Sequence, residues 1–447
     1  MSNSAHSEVV PGLPDQKANN RQIVSATTAS LLGWSFDLYD LFILLYVTPT
    51  IGALFFPSSN PTLSLAAVYA SFAVTLLMRP LGSAIFGSYA DKNGRKKAMT
   101  VAIVGVGLST ATFGLLPTVP QIGVFAAVIF LLLRMVQGIF VGGVVASTHT
   151  IGTESAPQKW RGLMSGLIGG GGAGLGALFA SITFTVVSAF FPGEAFSEWG
   201  WRVMFFTGII GSIAGLFVFR SLDESPLWKE LKKEDKGKVH NDTIEQRPIK
   251  TLFTSYFGVL MVNLMIVIGG GSGYYLTAGF IPTFLDVINN VSPGVKSGVL
   301  IASSIATIVS ALIVGHLSEI IGRKKTFLGV GLLNIIGLPF FYLALGDATT
   351  TASIYFYTIC VVFLGNAAYA PVLIFLNERF PTSIRSTGTG LSWNMGFAVG
   401  GMMPTFVTLA SGSIENIPQT LMYFFIAIFL LYIVGSIIIP ETKGNLK

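Results

Sequence analysis

Gly87-Ser-Tyr-Ala-Asp91-Lys-Asn-Gly94-Arg95-Lys96-Lys97 recurs, at an offset of 228 residues, as Gly315-His-Leu-Ser-Glu319-Ile-Ile-Gly322-Arg323-Lys324-Lys325. A second motif, Glu154-x-x-Pro157-x-x-x-Arg161, recurs as Glu378-x-x-Pro381-x-x-x-Arg385 at an offset of 224. Two motifs repeating at nearly one offset mark a duplicated architecture, so the chain divides into halves before any residue is assigned a role. Each copy lies between long apolar runs, and the duplicated unit is therefore a set of apolar segments.

Those segments set the class. Of 447 residues 52% are apolar and only 11% charged, and the mean hydropathy is +0.70. Soluble chains carry about 25% charge, so soluble enzyme architectures are excluded. Reading apolar runs against charged or proline-rich breaks gives twelve helices, at 23–47, 64–90, 98–116, 121–149, 162–190 and 201–220, then 252–287, 297–320, 325–344, 352–378, 386–412 and 419–438. The expected organisation is a tail (1–22), a six-helix bundle (23–220), a charged connector (221–251) holding Pro226 and Pro248, a second bundle (252–438) and a second tail (439–447). Of 27 Lys and Arg, two lie mid-span (Arg79, Arg134) and two in alternate loops (Arg202, Lys296), leaving 23 on one side. The positive-inside rule makes that side cytoplasmic and places both termini there, in a multi-pass inner-membrane protein. No cleavable signal precedes the first run, which is too long for one and contains acids. The single cysteine, Cys360, excludes a disulfide framework.

The glycine, acid, glycine and basic cluster after helices 2 and 8, with Arg134-Met-Val-Gln137-Gly138 and Gly142-Gly143 in helix 4, resembles the signature set of the major facilitator superfamily. The resemblance spans 21–445. It implies an all-α membrane fold of two pseudo-symmetric six-helix bundles, a substrate site near the midplane and alternating access by rocking of the halves. It also implies a gating role for Gly87, Asp91, Gly94, Arg95, Glu319, Gly322 and Arg323. In physical terms, Gly87 permits close helix approach, Gly94 a tight turn, and Asp91 accepts from Arg95 or a helix N-terminus. The lysines also set topology.

Glycines 169–172, 174 and 176 formally contain GxGxxG, but no strand precedes them and they open an apolar span. Close helix packing explains them better than a nucleotide. No P-loop, HExxH or zinc spacing occurs, so ATP-driven transport and enzymatic activity are not expected, and neither is a metal or organic cofactor. Charges inside spans are costly and mark pathways. Four lie near mid-depth, all in the first half: Asp37 and Asp40 at i and i+3 on helix 1, Arg79 on helix 2 and Arg134 on helix 4. The second half offers Asn263, Asn366, Tyr369, Trp393 and Asn394 instead, and Tyr39, Tyr274 and Tyr275 are further aromatic candidates.

Two close carboxylates resist double ionisation. Asp37 and Asp40 are therefore the expected proton-coupling pair, with protonation releasing an arginine to receive an anion. Arg134 is the favoured carboxylate clamp because a guanidinium binds that group bidentately, with Gln137 and Arg79 beside it. The competing reading makes the four charges fixed ties, Arg79 to one aspartate and Arg134 to the other, and makes Gln137 an interhelical bond. His149 is a candidate proton relay.

Helix 1, Gly33-Trp-Ser-Phe-Asp37-Leu-Tyr39-Asp40, resembles the acid-x-aromatic-Asp pattern of organic-acid:proton symporters. Arg79-Pro80-Leu81-Gly82 and Asp223-Glu-Ser-Pro226-Leu-Trp228 lean toward the metabolite and sialate/monocarboxylate branches. Val144 stands where many metabolite-branch members carry an acid, which puts more weight on Asp37 and Asp40. The expected function is symport of a small mono- or dicarboxylate with H⁺, Na⁺ being the alternative coupling ion, by a protein working as a monomer in the bilayer and not binding nucleic acid. Its rivals are an aromatic acid:proton symporter, a sugar or polyol porter, a zwitterion or osmolyte symporter, and a membrane sensor signalling through the connector. Thirty-one connector residues are too few for a folded domain, which disfavours the last.

Overall fold

The computed structural model describes residues 20–93, 95–154, 160–220, 248–381 and 384–445. The first tail and nearly all of the connector lie outside them. The described chain is helical throughout. In the first half the spans are α1 (Asn20–Tyr46), α2 (Pro61–Asn93), α3 (Arg95–Phe113), α4 (Phe125–Glu154), α5 (Arg161–Phe190) and α6 (Trp201–Phe206 resuming as Gly208–Arg220). In the second they are α7 (Phe257–Gly279), α8 (Pro293–Ile321), α9 (Arg323–Gly346), α10 (Thr351–Ala367 resuming as Val372–Arg379), α11 (Arg385–Ser411) and α12 (Ile417–Ile438).

Ten of these helices are long and apolar enough to cross a bilayer. The other two fall short for readable reasons. The apolar part of α3, Thr100–Phe113, is shortened by its leading Arg95-Lys-Lys cluster. α11 is diluted by Thr389, Ser392 and Asn394, which are all turned inward and buried. The all-helical architecture of twelve spans read from the sequence is the one observed among the described residues.

Glycines decide how closely the spans approach. A Cβ at Gly138 would collide with the Thr75 carbonyl, one at Gly142 with the Arg79 carbonyl, and one at Gly82 with the Ile139 carbonyl. α2 and α4 therefore lie backbone to backbone, the close approach that small residues allow in lipid. The 169–176 glycines do the same work in α5. Gly172 and Gly176 face α1 at Trp34 and Ser35, whereas Gly170 and Gly174 face α8 at Ala311 and Ile308, so α5 is clamped between α1 of its own half and α8 of the other.

Among the helices that are irregular where they meet the centre of the molecule are α10 and α7. α10 breaks at residues 368–371, where Pro371 supplies no N–H. The freed groups find partners: the Ala368 carbonyl accepts from Tyr432 Oη (3.1 Å), and the Ile374 N–H donates to Ser165 Oγ (3.0 Å). α7 widens into a π turn over Tyr275–Gly279, and the Leu276 carbonyl there accepts from Tyr342 Oη. Irregular backbone at this depth is tolerated only when protein satisfies it, and it clusters at binding sites.

Candidate functional site

α1 runs through the first half with Asp37 and Asp40 about 60° apart around its axis, enough to aim them at different neighbours. Asp37 turns toward α2. Its Oδ2 lies 3.6 Å from Arg79 Nη1, with both side chains almost fully buried. Among the described residues neither Asp37 oxygen, nor Arg79 Nε, has a hydrogen-bond partner. The pair is loose: close enough to attract, too long to hydrogen-bond.

Asp40 turns the other way, into a closed network inside the first half. Thr110 Oγ1 of α3 donates to its Oδ1. Gln137 Nε2 of α4 donates to Oδ2 at 2.6 Å and also approaches Thr110 Oγ1 at 2.9 Å. Arg134 Nη1 donates to Gln137 Oε1 at 2.7 Å. The Arg134 guanidinium lies over the Phe113 ring, 4.4 Å from its centroid, with Phe130 at 5.4 Å. A cation held this way replaces lost hydration with ring quadrupoles. Arg134, expected as the carboxylate clamp, is thus placed within the first half, 1% exposed, with Phe113, Phe130 and Gln137 as its partners. Gln137 takes the interhelical position of the competing reading, linking α4 to α1 and α3.

Across from Asp37 and Arg79 stands a wall of rings from the second half. Tyr369, at the break in α10, stacks on Tyr274 of α7 (5.3 Å, 23°) and packs on Trp393 (5.6 Å) and Phe397 (5.2 Å) of α11. Trp393 stacks on Phe397 at 4.4 Å and meets Trp34 of α1 edge-on at 6.1 Å. Tyr275 packs on Phe72 of α2 at 5.3 Å. Arg79 and Asp37 lie within electrostatic reach of Tyr275 and Tyr369. The Tyr274 hydroxyl is buried without a hydrogen-bond partner among the described residues.

Other candidates are placed elsewhere. Tyr39 spends its hydroxyl on Thr183 (3.1 Å) and Thr207 (2.6 Å) inside the first half. Asn366 Nδ2 donates to the Thr307 carbonyl at 2.8 Å, tying α10 to α8 beside Gly170. Asn394 is buried next to Trp393. Asn263 accepts from Arg379 Nε at 3.0 Å, joining α7 to α10. Thr110, Trp34 and Phe397 were not singled out from the sequence. Phe397 stands four residues after Trp393 and so shares its helix face, the signal that would have found it.

The Major Facilitator Superfamily profile matches residues 26–404 of the chain. The chain belongs to the Major Facilitator Superfamily. It is 30% identical to the inner membrane metabolite transport protein YhjE of Escherichia coli (strain K12), over 85% of this chain and 86% of that one. It is 29% identical to a proline/betaine transporter of the same strain, over 94% and 84%. Among solved structures, the partially occluded inward open xylose transporter XylE from E. coli superposes with a TM-score of 0.72 at 18% identity, covering 95% and 99%, a likeness of fold. As a superfamily member the protein is a multi-pass membrane transporter of a small molecule.

A transporter of this superfamily must open and close at both ends of its bundle, and here the two halves touch at both. At the end bearing the α8–α9 turn, the second copy of the sequence repeat forms a buried knot. Arg323 donates through Nε to Glu378 Oε2 (3.1 Å), through Nη2 to Glu378 Oε1 (3.0 Å) and Glu319 Oε2 (2.8 Å), and through Nη1 to Ser318 (2.9 Å). Glu319 Oε2 also accepts the Gly162 N–H of α5 at 2.9 Å, crossing between halves. Gly322 takes φ +97°, which lets the chain turn directly from α8 into α9. Glu441, just past α12, caps α9 by accepting from the Arg323 and Lys324 N–H groups (2.8 and 3.2 Å). Burial pushes the Glu441 carboxyl up, but N–H donors from Lys443, Arg323, Lys324 and Thr442 outweigh it and hold the carboxyl below its ordinary value. In the first copy, Gly87 falls within α2, whereas Gly94 and the side chains of Asp91 and Arg95 lie outside the described residues, as does the side chain of His149.

At the opposite end the second half reaches back with Lys296. Its Nζ donates to Asp286 Oδ2 at 2.5 Å and to the Tyr46 carbonyl at the end of α1 at 3.2 Å, and lies 4.7 Å from the Phe184 ring centroid of α5. Tyr69 Oη donates to Thr283 Oγ1 (2.8 Å), and its ring stacks on Phe280. The sequence reading counted Lys296 as a topology exception only. Its burial, 3% exposed, gives it a structural task.

Proposed function

We propose that the protein is a proton-coupled symporter of a small carboxylate-bearing solute. The observation that carries this reading is the loose, buried Asp37–Arg79 pair, facing the ring wall with hydrogen-bonding capacity left on both partners. When Asp37 is ionised it occupies Arg79 electrostatically. When Asp37 is protonated, Arg79 becomes an uncompensated buried cation, and a solute carboxylate is the partner that relieves it. Arg79 is therefore the clamp in this reading, and the rings of Tyr274, Tyr369 and Trp393 hold the rest of the solute.

The proton side rests on Asp37 together with Asp40. Asp40 is held by Thr110 and Gln137 and linked through Gln137 to Arg134, so its charge state is felt by α1, α3 and α4 together. Metabolic anions of the mono- or dicarboxylate class are the solutes this arrangement fits first. A second reading, a zwitterion, is supported by the ring wall, whose faces suit an alkylated ammonium, and by relatives named as proline/betaine transporters.

Charge distinguishes the two. One proton with a monocarboxylate carries no net charge, whereas one proton with a zwitterion carries one positive charge. Purified protein in liposomes holding a pH dye would be offered carboxylates, zwitterions and sugars, with and without an inside-negative potential. Each translocated charge gains about 2.3 kcal/mol per 100 mV. Internal acidification on carboxylate addition, unaccelerated by the potential, supports the anion reading, and acceleration with a zwitterion supports the second. Sugar entry with silence from both other classes overturns the proposal.

A further inference from the structure

α1 has a second polar side, away from the ring wall. Between α1, α3 and α6 lies a cavity of about 30 Å³, lined on its polar side by Asp37, Asp40, Thr110 and Ser212 and walled by glycines including Gly33 and Gly211. All of its lining belongs to the first half. We propose that this cavity holds one water molecule through which Asp40 and Asp37 exchange the coupling proton. The inference deepens the symport reading and rests on it.

Size and chemistry agree. A water needs a cavity of at least about 10–15 Å³ and two to four polar partners. The cavity exceeds that threshold and offers two carboxylates and two hydroxyls. Ser212 already donates to the Ile103 carbonyl at 2.7 Å, so its oxygen is left to accept. Asp37, 5% exposed, is among the residues that line the cavity, and neither of its carboxyl oxygens has a hydrogen-bond partner among the described residues. A buried carboxylate in that condition is costly, and a water donating to it removes much of the cost. The transfer balances. The water gives one proton to Asp37 and takes one from Asp40, so Asp40 ends ionised, Asp37 neutral and the water unchanged. The two sides of Asp37 then have separate tasks, the proton arriving from the cavity and the solute from the ring wall.

Glycine makes the cavity possible and supplies the test. A Cβ at Gly211 would stand 3.4 and 3.7 Å from the Tyr39 ring, ordinary contact, so Gly211→Ala fills space without displacing a neighbour. Reconstituted Gly211→Ala should lose proton-driven accumulation by about a hundredfold, the scale of a removed proton-transfer partner. Solute exchange at equal pH on both sides should be retained. Unchanged accumulation, or loss of accumulation and exchange alike, overturns the proposal. The unsubstituted protein provides a second measurement that no folding defect can obscure. Infrared difference spectra between acidic and alkaline pH should contain an O–H stretch that moves when the solvent water carries oxygen-18, and should lack it in Asp37→Asn. No isotope-sensitive band overturns the water. Solute entry without any proton, with the band present, overturns the symport reading instead.

Discussion

Lys296→Met should open the end of the molecule opposite the α8–α9 turn. The Lys296–Asp286 contact lies within the second half, so it persists whichever way the halves rock and contributes little to their relative position. Two contacts cross between halves. One is the hydrogen bond from Nζ to the Tyr46 carbonyl (3.2 Å), a last-turn carbonyl of α1 that lacks an intrahelical donor. The other is the ammonium above Phe184 at 4.7 Å. A hydrogen bond to a charged donor contributes about 1.5–3 kcal/mol, and a partly desolvated cation–π contact about 0.5–2 kcal/mol. Methionine keeps the apolar stem, so these are the terms removed. Their sum, about 2–5 kcal/mol, shifts the balance between closed and open forms of that end by roughly 30- to several thousand-fold. Spin labels at Glu194→Cys, in the exposed helical segment before α6, and Asp347→Cys, on the exposed turn after α9, in a Cys360→Ser background, would report the separation by pulsed electron resonance. The Lys296→Met distribution should move to longer distances. A distribution that does not change refutes the assignment of Lys296 as a latch between the halves.

Four further outcomes follow from the same geometry. Arg79→Lys should keep the charge but lose bidentate geometry, raising the KM for the solute about tenfold or more with the maximal rate less affected, as measured by labelled uptake. Gln137→Leu strips a donor from Asp40 and the acceptor from Arg134 Nη1; the midpoint of thermal unfolding in detergent should fall, corresponding to about 1–3 kcal/mol per group left unsatisfied. Gly142→Leu drives a side chain into the Arg79 carbonyl, and size-exclusion chromatography should show little folded protein. Glu441, whose carboxyl is held below its ordinary value of 4.5, contributes stability above that pH and loses it as pH falls through the depressed value. The melting difference between the unsubstituted protein and Glu441→Gln should therefore be full at neutral pH and vanish in acid.

The fold was legible because bilayers impose a length on every span and the duplicated motif imposes a division on the chain. Even α11, which falls short in hydropathy, was readable from its boundaries; its polar residues are turned inward, so hydropathy understates it. The four buried charges were legible for the same reason, since each is costly in an apolar run. Their partners were not. Spacing i, i+3 places Asp37 and Asp40 on one broad face, but it cannot say that a rotation of about 60° sends one to Arg79 and the other to Thr110 and Gln137. Nor could it show that Phe113 and Phe130 receive Arg134, because those rings lie on α3 and α4 with no charge pattern to single them out. Lys296 was missed because a loop lysine at a span end is ordinarily solvated, and only the packing of α1, α5 and α8 reveals what it holds.

The placement of charge supplies a physical reason for coupling under the proposed symport. Asp37, Asp40, Arg79 and Arg134 sum to zero when all are ionised, and all four are buried. Burying an unpaired charge costs several kcal/mol even after relaxation. The empty carrier is neutral and free to rock. Adding one proton leaves a net positive interior, which resists losing the water that an open end supplies. Adding a monocarboxylate restores neutrality, and the halves can close again. The anion alone fails for the converse reason, since Asp37 then competes for Arg79. Proton and anion thus move together because each corrects the charge the other creates. A zwitterion brings no net charge and would leave the loaded interior positive, so the same argument ranks the anion first. Replacing both members of one pair, as in Asp37→Asn with Arg79→Gln, keeps the sum at zero while removing the proton switch. That double variant should still close, as read by the same pair of spin labels, yet accumulate no solute under a pH gradient. If it accumulated solute, charge balance at these residues would not be the basis of coupling.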